Sequence, residues 1–228
     1  MKAVILAAGK GTRLAPLTDV VPKPLLKVNN VPMLERLLLQ LKEVGIMEVV
    51  VIVHHLKGQI MNYCEGSVFG MTVTCVEQTE MKGTGNAVLY AEPHVKDTFL
   101  CIAVDSLFKT ELLTQLTNTT SEGAITCREV ENPERYGILQ VDGNKVTKIV
   151  EKSDHPPSNL ANFSVYKFPV QIFEACKKLT PSPRGELEIT DAIQDLIEES
   201  IGFECVKTDK ILDVGTKAQL DAAQSFDQ

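Results

Sequence analysis

Four apolar residues, Ala3-Val4-Ile5-Leu6, run straight into a bend of small residues, Ala7-Ala8-Gly9-Lys10-Gly11-Thr12-Arg13. A strand with no polar alternation has to be buried on both faces. Where such a strand opens into glycines, it leaves a row of backbone N–H groups that bind phosphate oxygens. Arg13 and Lys23 add two cations at about the same place, and Pro22 and Pro24 stiffen the backbone around Lys23. The opening stretch therefore specifies a polyphosphate site. Two fixed cations on a polyphosphate suit group transfer better than redox chemistry.

Strand-like runs cover residues 2–7, 48–54, 71–77, 98–104 and 123–129. Between them Met33, Leu34, Leu37, Leu38 and Leu41 recur at helical spacing, and Gly45 stops that helix. Residues 85–91 and 111–117 read as further helices. The alternation predicts a parallel sheet with helices on both faces. Its ligand should lie beyond the C-terminal strand ends, where the strand order reverses. After Pro133 the pattern changes: runs 136–141 and 145–152 flank Asp142-Gly143, a hairpin signal. A polar loop at 153–158 leads to a strand at 162–168 and helices at 171–179 and 187–200. Residues 203–208 return to the sheet, and 216–226 close as a helix. No linker, repeat or low-complexity tract divides the chain, so residues 1–228 read as one domain with the hairpin as a lip over the sheet.

Composition narrows the partners. A net charge of −7 argues against nucleic acid, whose phosphates need a basic surface, but leaves room for a local nucleotide pocket. No apolar run approaches the ~20 residues of a membrane span. The first strand starts at the N-terminus, so no signal peptide is expected. The six cysteines lie far apart without a Cys-x-x-Cys pair, and are expected to be reduced core residues of a cytoplasmic protein. The sequence leaves a homo-oligomer open.

Generic phosphate motifs fail on detail. No Walker A spacing occurs. Gly9 and Gly11 begin a dinucleotide fingerprint, but Leu14 stands where its third glycine belongs. The string from Leu6 through Arg13 to Leu14-Ala15-Pro16-Leu17-Thr18, followed by Pro22-Lys23-Pro24-Leu25-Leu26, is far more specific. It resembles the signature of the sugar-1-phosphate nucleotidylyltransferases, glucose-1-phosphate thymidylyl- and uridylyltransferases among them, and the resemblance continues in pieces to about Ala223. It implies an α/β fold: a Rossmann-like, mostly parallel mixed sheet with helices on both faces and a β-hairpin insert, of nucleotide-diphospho-sugar transferase type. It also implies transfer of a nucleoside monophosphate from an NTP to a sugar 1-phosphate, with Mg2+ as cofactor. Some relatives carry a C-terminal β-helix with acetyltransferase activity; here the chain reaches Gln228 soon after its last helix, so no second activity is expected.

By that resemblance Leu6, Ala7, Ala8, Gly9, Lys10, Gly11 and Thr12 hold the nucleotide, and Arg13 and Lys23 clamp the α-phosphorus and the leaving pyrophosphate. Lys10 reads equally well as a solvated cation. Asp105 follows the apolar run 99–104, where a strand-end carboxylate points into the crevice, and it matches the family's magnesium ligand. Asp213 matches the second ligand, with helix capping as the competing reading. Two distant carboxylates suit Mg2+, which keeps waters and takes its other ligands from phosphates. Gln78 and Gly83 match the residues that read the base, and Thr84 follows them; a side-chain amide with a main-chain group satisfies the edge of uracil or thymine. A polar turn capping the next helix is the plainer reading of Gly83-Thr84. Gly137, Glu151, Lys152 and Asn162 form the sugar-phosphate side by resemblance.

The sequence also departs from the family. Val104 and Ile211 replace a glycine and a tryptophan, and Lys82 replaces an apolar residue. Phe163-Ser164-Val165-Tyr166 departs from the usual Ala-Gly-Ile-Tyr after Asn162, which reshapes the sugar pocket. Arg184 to Asp191 read as packing and helix capping, with Thr190 or Asp191 near the sugar as the alternative. His54 and His55 adjoin at a strand end with no partner at metal spacing. No Ser, Cys or His constellation supports a covalent nucleophile, so direct attack by the acceptor phosphate fits best. The alternatives are a non-sugar acceptor such as phosphocholine or a polyol phosphate, a non-catalytic sensor of nucleotide sugars, and a nicotinamide oxidoreductase.

Overall fold

The structure, a computed structural model, describes residues 1–226, with the Ser67 side chain left aside. The chain opens with β1 (Ala3–Ala7), α1 (Leu17–Val20), a short ribbon of β2 (Lys27–Val28) and β3 (Val31–Pro32), and α2 (Met33–Glu43). It continues through β4 (Glu48–Val53), α3 (Lys57–Tyr63), β5 (Ser67–Val68), β6 (Met71–Glu77) and α4 (Thr84–Leu89). Then come β7 (Phe99–Ala103), β8 (Ser106–Phe108), α5 (Glu111–Thr117), β9 (Gly123–Glu129) and the hairpin β10 (Gly137–Asp142) and β11 (Lys145–Glu151). The last elements are β12 (Leu160–Phe168), α6 (Ile172–Lys178), α7 (Ile189–Glu198), β13 (Phe203–Lys207), β14 (Ile211–Asp213) and α8 (Lys217–Ala223).

One mixed sheet runs in the order β10-β11-β13-β9-β12-β7-β1-β4-β6-β5. Strands β7, β1, β4 and β6 are parallel, as the alternation in the sequence requires, and so are β9 and β13. Strand β12 runs antiparallel between β7 and β9 and joins the two blocks. The chain leaves β1 toward β4 and β6, then returns to β7 on the other side of β1. That reversal opens a crevice beyond the C-terminal ends of β1 and β7.

Each element has a local cause. Strand β1 is buried on both faces: Val4 packs in one core with Ile52, Phe99 and Ile193, and Ile5 in the other with Leu34, Leu38 and Val51. Helix α2 ends where Gly45 takes φ +80; the N–H of Gly45 bonds the Lys42 carbonyl, and the N–H of Ile46 bonds that of Leu41. That is a Schellman ending, and it needs a residue tolerant of positive φ.

A third, smaller core joins Leu14, Leu26, Val28, Met33, Leu107, Val214 and Leu220. It packs the glycine bend against α8 and a two-stranded ribbon, β8 with β14. Neither ribbon strand was predicted from the sequence. Each has three residues, too few to show a period.

The cysteines need one correction. Cys127 and Cys205 form a disulfide between neighbouring strands β9 and β13, with Cα atoms 6.5 Å apart. Their sequence separation of 78 hides the pairing, which only the parallel register creates. Cys64, Cys75, Cys101 and Cys176 are free, as expected. No helix among the described residues is long and apolar enough to cross a membrane.

Candidate active site

The glycine bend sits at the mouth of the crevice. Gly11 takes φ +66, and a Cβ there would meet Thr18 Cγ2 at 3.0 Å. Buried Thr18 donates its hydroxyl to the Gly11 carbonyl at 2.9 Å, so the bend is both left-handed and pinned from beneath. A Cβ on Gly9 would meet nothing within 4 Å, which leaves open space over the end of β1. Lys23 begins a single 3-10 turn, Lys23–Leu25, whose Pro24 is buried. The fixed backbone aims the Lys23 ammonium at the Asp105 carboxylate, with which it forms an ion pair. Arg13 is exposed on its own 3-10 turn, and its guanidinium lies against Gly215: a Cβ there would meet Nη2 at 2.9 Å. Both cations therefore stand on the rim that carries the aspartates.

The β8–β14 ribbon brings those aspartates together. Asp213 pairs with Ser106 in register, and the Val214 N–H donates to the Asp105 carbonyl at 2.9 Å. The Ser106 hydroxyl donates to Asp213 Oδ1 at 2.8 Å. Burial, and then the Asp105 charge, push the Asp213 carboxyl up to about 7; the Ser106 hydrogen bond, Lys23 and Arg128 pull the other way. Asp105 has the Lys23 ammonium as its partner, whereas the hydrogen-bond partner of Asp213 is a neutral hydroxyl. Among the described residues no third His, Cys, Asp or Glu joins them. This donor set fits Mg2+, which is bound through one or two carboxylates plus water and substrate phosphate.

Behind the rim lies a cavity of about 450 Å3. Leu6, Ala7, Ala8, Gly9, Lys23, Gln78, Gly83, Thr84 and Asp105 line it, as do Ser164 and Tyr166. Lys10, Gly11, Thr12 and Arg13 stay outside, on the bend. Gln78 is 1% exposed. Its Nε2 donates to the Glu80 carbonyl at 3.0 Å and to Asn86 Oδ1 at 2.8 Å. A carbonyl only accepts, so the amide orientation is fixed, both protons are committed, and the amide oxygen is what Gln78 can offer a ligand.

Gly83 and Thr84 line the cavity for structural reasons. Gly83 takes φ +111, and a Cβ would meet the main-chain N and O of Leu187 at 2.7 Å. Leu187 N donates to the Lys82 carbonyl at 2.7 Å, and Gly85 N to the Leu187 carbonyl at 2.8 Å. The Thr84 hydroxyl accepts from Ile189 N at 3.1 Å and so caps α7 rather than its own helix. Lys82 pairs with Glu80 in solvent.

The residues expected on the sugar-phosphate side also meet. A Cβ on Gly137 would lie 3.0 Å from Glu151 Oε2 and from Thr190 Cγ2, and 3.6 Å from Asn162 Nδ2. The Thr190 hydroxyl donates to Glu151 Oε2 at 3.1 Å, while Arg184 and Lys152 approach Oε1 at 3.2 and 3.4 Å. Asn162 Nδ2 donates to the Tyr166 hydroxyl at 2.8 Å, and its buried Oδ1 has no partner among the described residues. Tyr166 thus links this cluster to the cavity. Arg184, in the segment expected to pack and cap a helix, holds Glu151 and Glu188.

Ser164 and Tyr166 were not expected on the wall, although the departure after Asn162 marked their place. The ladder with β9 passes from Phe163↔Thr126 to Tyr166↔Ile125, which leaves Ser164 and Val165 as a bulge. A bulge re-aims a side chain, here the Ser164 hydroxyl, toward the cavity.

Comparisons with known proteins bear on the family and the fold. The nucleotidyl transferase family model matches residues 2–228. UTP–glucose-1-phosphate uridylyltransferase AglF of Haloferax volcanii is 35% identical over 231 residues, covering 98% of this chain and 95% of that protein. The bifunctional protein GlmU of Methanococcus aeolicus is 42% identical over 201 residues, or 88% of this chain, which spans only 48% of that protein's length. A solved Bacillus anthracis structure, described as a glucose-1-phosphate thymidylyltransferase with sucrose, superposes with a TM-score of 0.86 at 30% identity, over 99% of this chain and 94% of that one.

Proposed function

The chain belongs to the nucleotidyl transferase family, and from that premise we propose that it transfers a nucleoside monophosphate from an NTP to a sugar 1-phosphate and releases pyrophosphate. One observation carries the reading: Lys23 and Asp105 pair in the cavity wall, and the β8–β14 ribbon and Gly215 bring Asp213 and Arg13 beside them, although the four lie far apart in sequence. In this reading the bend and its N–H groups hold the triphosphate. Arg13 and Lys23 neutralise the charge that develops on the leaving pyrophosphate. A Mg2+ ion held by Asp105 and Asp213 would supply further neutralisation on phosphate oxygens. Sugar phosphate is already ionised at neutral pH, so in-line attack needs no strong general base and depends on positioning.

The committed amide of Gln78 supports a base with a ring N–H. An amide oxygen meets the N3–H of uracil or thymine, so UTP and dTTP are favoured. The acceptor cluster offers acceptors, Glu151 and Asn162 Oδ1, and Glu151 already has two cations beside it. Hydroxyl donors fit there. A quaternary ammonium such as choline does not, whereas a polyol phosphate remains a second reading through the bulge at Ser164. We read residues 1–228 as one nucleotidyltransferase domain acting in the cytoplasm on soluble substrates, without nucleic acid or membrane partners; the Cys127–Cys205 bond is the feature least expected in that compartment.

The test is pyrophosphate release across a panel of NTPs and phosphate acceptors with Mg2+. Wild type should turn over UTP or dTTP with a sugar 1-phosphate. Arg13→Ala and Asp105→Ala should each lose at least about a hundredfold in turnover while melting near wild type. Near-normal turnover in either variant rejects the assignment.

A further inference from the structure

Two adjacent histidines at the end of β4 bond to both halves of the nucleotide site. His54 Nδ1 lies 2.8 Å from the main-chain carbonyl of Gln78, and His55 Nε2 lies 2.8 Å from that of Thr18. A carbonyl oxygen only accepts, so each ring must present an N–H at that atom. We infer that His54 and His55 are positioning residues that fix the base-reading amide and the phosphate bend relative to each other; this rests on the reading of the cavity as a nucleotide site.

The geometry gives each histidine its own task. Gln78 is held by β4 on both sides of its peptide: its N–H donates to the Val53 carbonyl at 2.8 Å, and its own carbonyl receives His54. Its side chain then stands in the cavity wall. His55 acts one contact further from the ligand. It holds the carbonyl of Thr18, whose hydroxyl holds the carbonyl of Gly11 and whose methyl fills the space a Gly11 Cβ would need. Gln59 of α3 adds a bond from Nε2 to the Val20 carbonyl at 2.9 Å. Leu56, at φ +49, makes the sharp turn that lets one strand end reach both loops. The anchor itself is rigid, since Val49–Val53 of β4 are buried. A site is held best when its supports come from such an element.

The experiment measures Kd by calorimetry for UTP, CTP and inorganic tripolyphosphate, each with Mg2+ and without acceptor. His54→Leu should weaken UTP about tenfold, the size of one hydrogen bond, and erode the preference for UTP over CTP, with tripolyphosphate unchanged. His54→Asn keeps a donor and should restore the preference. His55→Leu should weaken UTP, CTP and tripolyphosphate alike by about tenfold without changing the base preference, and His55→Gln should restore affinity. If a leucine variant does not fold, the alanine variants and the exposed Gln59→Ala carry the comparison; Gln59→Ala should weaken tripolyphosphate about threefold. Uniform weakening of all three ligands in both histidine variants, or no weakening in any, overturns the inference. Wild type that binds UTP but transfers it to no sugar phosphate sinks the transferase reading alone. Wild type that binds no nucleotide sinks both.

Discussion

Asp213→Asn should make the metal-free protein more stable at neutral pH and abolish its response to magnesium. Asn matches the shape of Asp, and its Oδ1 can still accept from Ser106. What it removes is a half-buried negative charge facing Asp105. A carboxyl raised from 3.8 to about 7 corresponds to about 4 kcal/mol at 1.36 kcal/mol per pH unit. Solvent reaching the group lowers the expected gain to about 2 kcal/mol. The folded carboxyl keeps its proton to higher pH than the unfolded one. Between about 4 and about 7 the folded protein therefore binds the extra proton, and wild-type stability falls as pH rises. Urea unfolding in EDTA at pH 5, 6, 7 and 8 checks this. The variant should gain least at pH 5, roughly a third of its full gain, and most at pH 8, and Mg2+ should stabilise wild type but not the variant. A gain independent of pH, or a loss at pH 8, refutes the electrostatic reasoning.

Three shorter predictions follow from contacts. Gly137→Ala places a methyl 3.0 Å from Glu151 Oε2, so the KM for the acceptor should rise about tenfold while that for NTP stays put; equal changes in both would refute a role on the acceptor side. Gly83→Ala forces a Cβ against the Leu187 main chain at φ +111 and should cost about 2–4 kcal/mol by urea unfolding, with full stability as the contrary result. Alkylation of the unreduced, denatured protein should label Cys64, Cys75, Cys101 and Cys176 but not Cys127 or Cys205; saturating reductant should lower stability by about 4 kcal/mol for a loop this long, and labelling of all six thiols without reduction would contradict the bond.

Local features carried the sequence reading furthest. The run from Ala3 to Ala7 and the bend at Gly9–Gly11 announce themselves by residue type, and Lys23 is fixed by the prolines beside it. Asp105 was legible because an apolar strand leads to it. Asp213 was not. Resemblance alone tied it to Asp105, since their meeting depends on a ribbon of two three-residue strands. Gly83 and Thr84 show a different limit. The resemblance implied contact with the base and their residue types a cap on the next helix, yet their main obligations are to Leu187 and Ile189, about a hundred residues onward. Residue type reports that a glycine or a cap is needed, and tertiary structure decides for whom. The antiparallel ladders around β12 and the Cys127–Cys205 bond were hidden for the same reason.

The interruption in β12 has a consequence for how substrate range can diverge. On the β9 side the ladder breaks after Phe163 and resumes at Tyr166, so Ser164 carries no pairing with β9. A change at Ser164 can therefore recut the chamber wall without asking β9 to move. Under the proposed function, such a position is where a substitution would alter the chamber at least cost to the sheet.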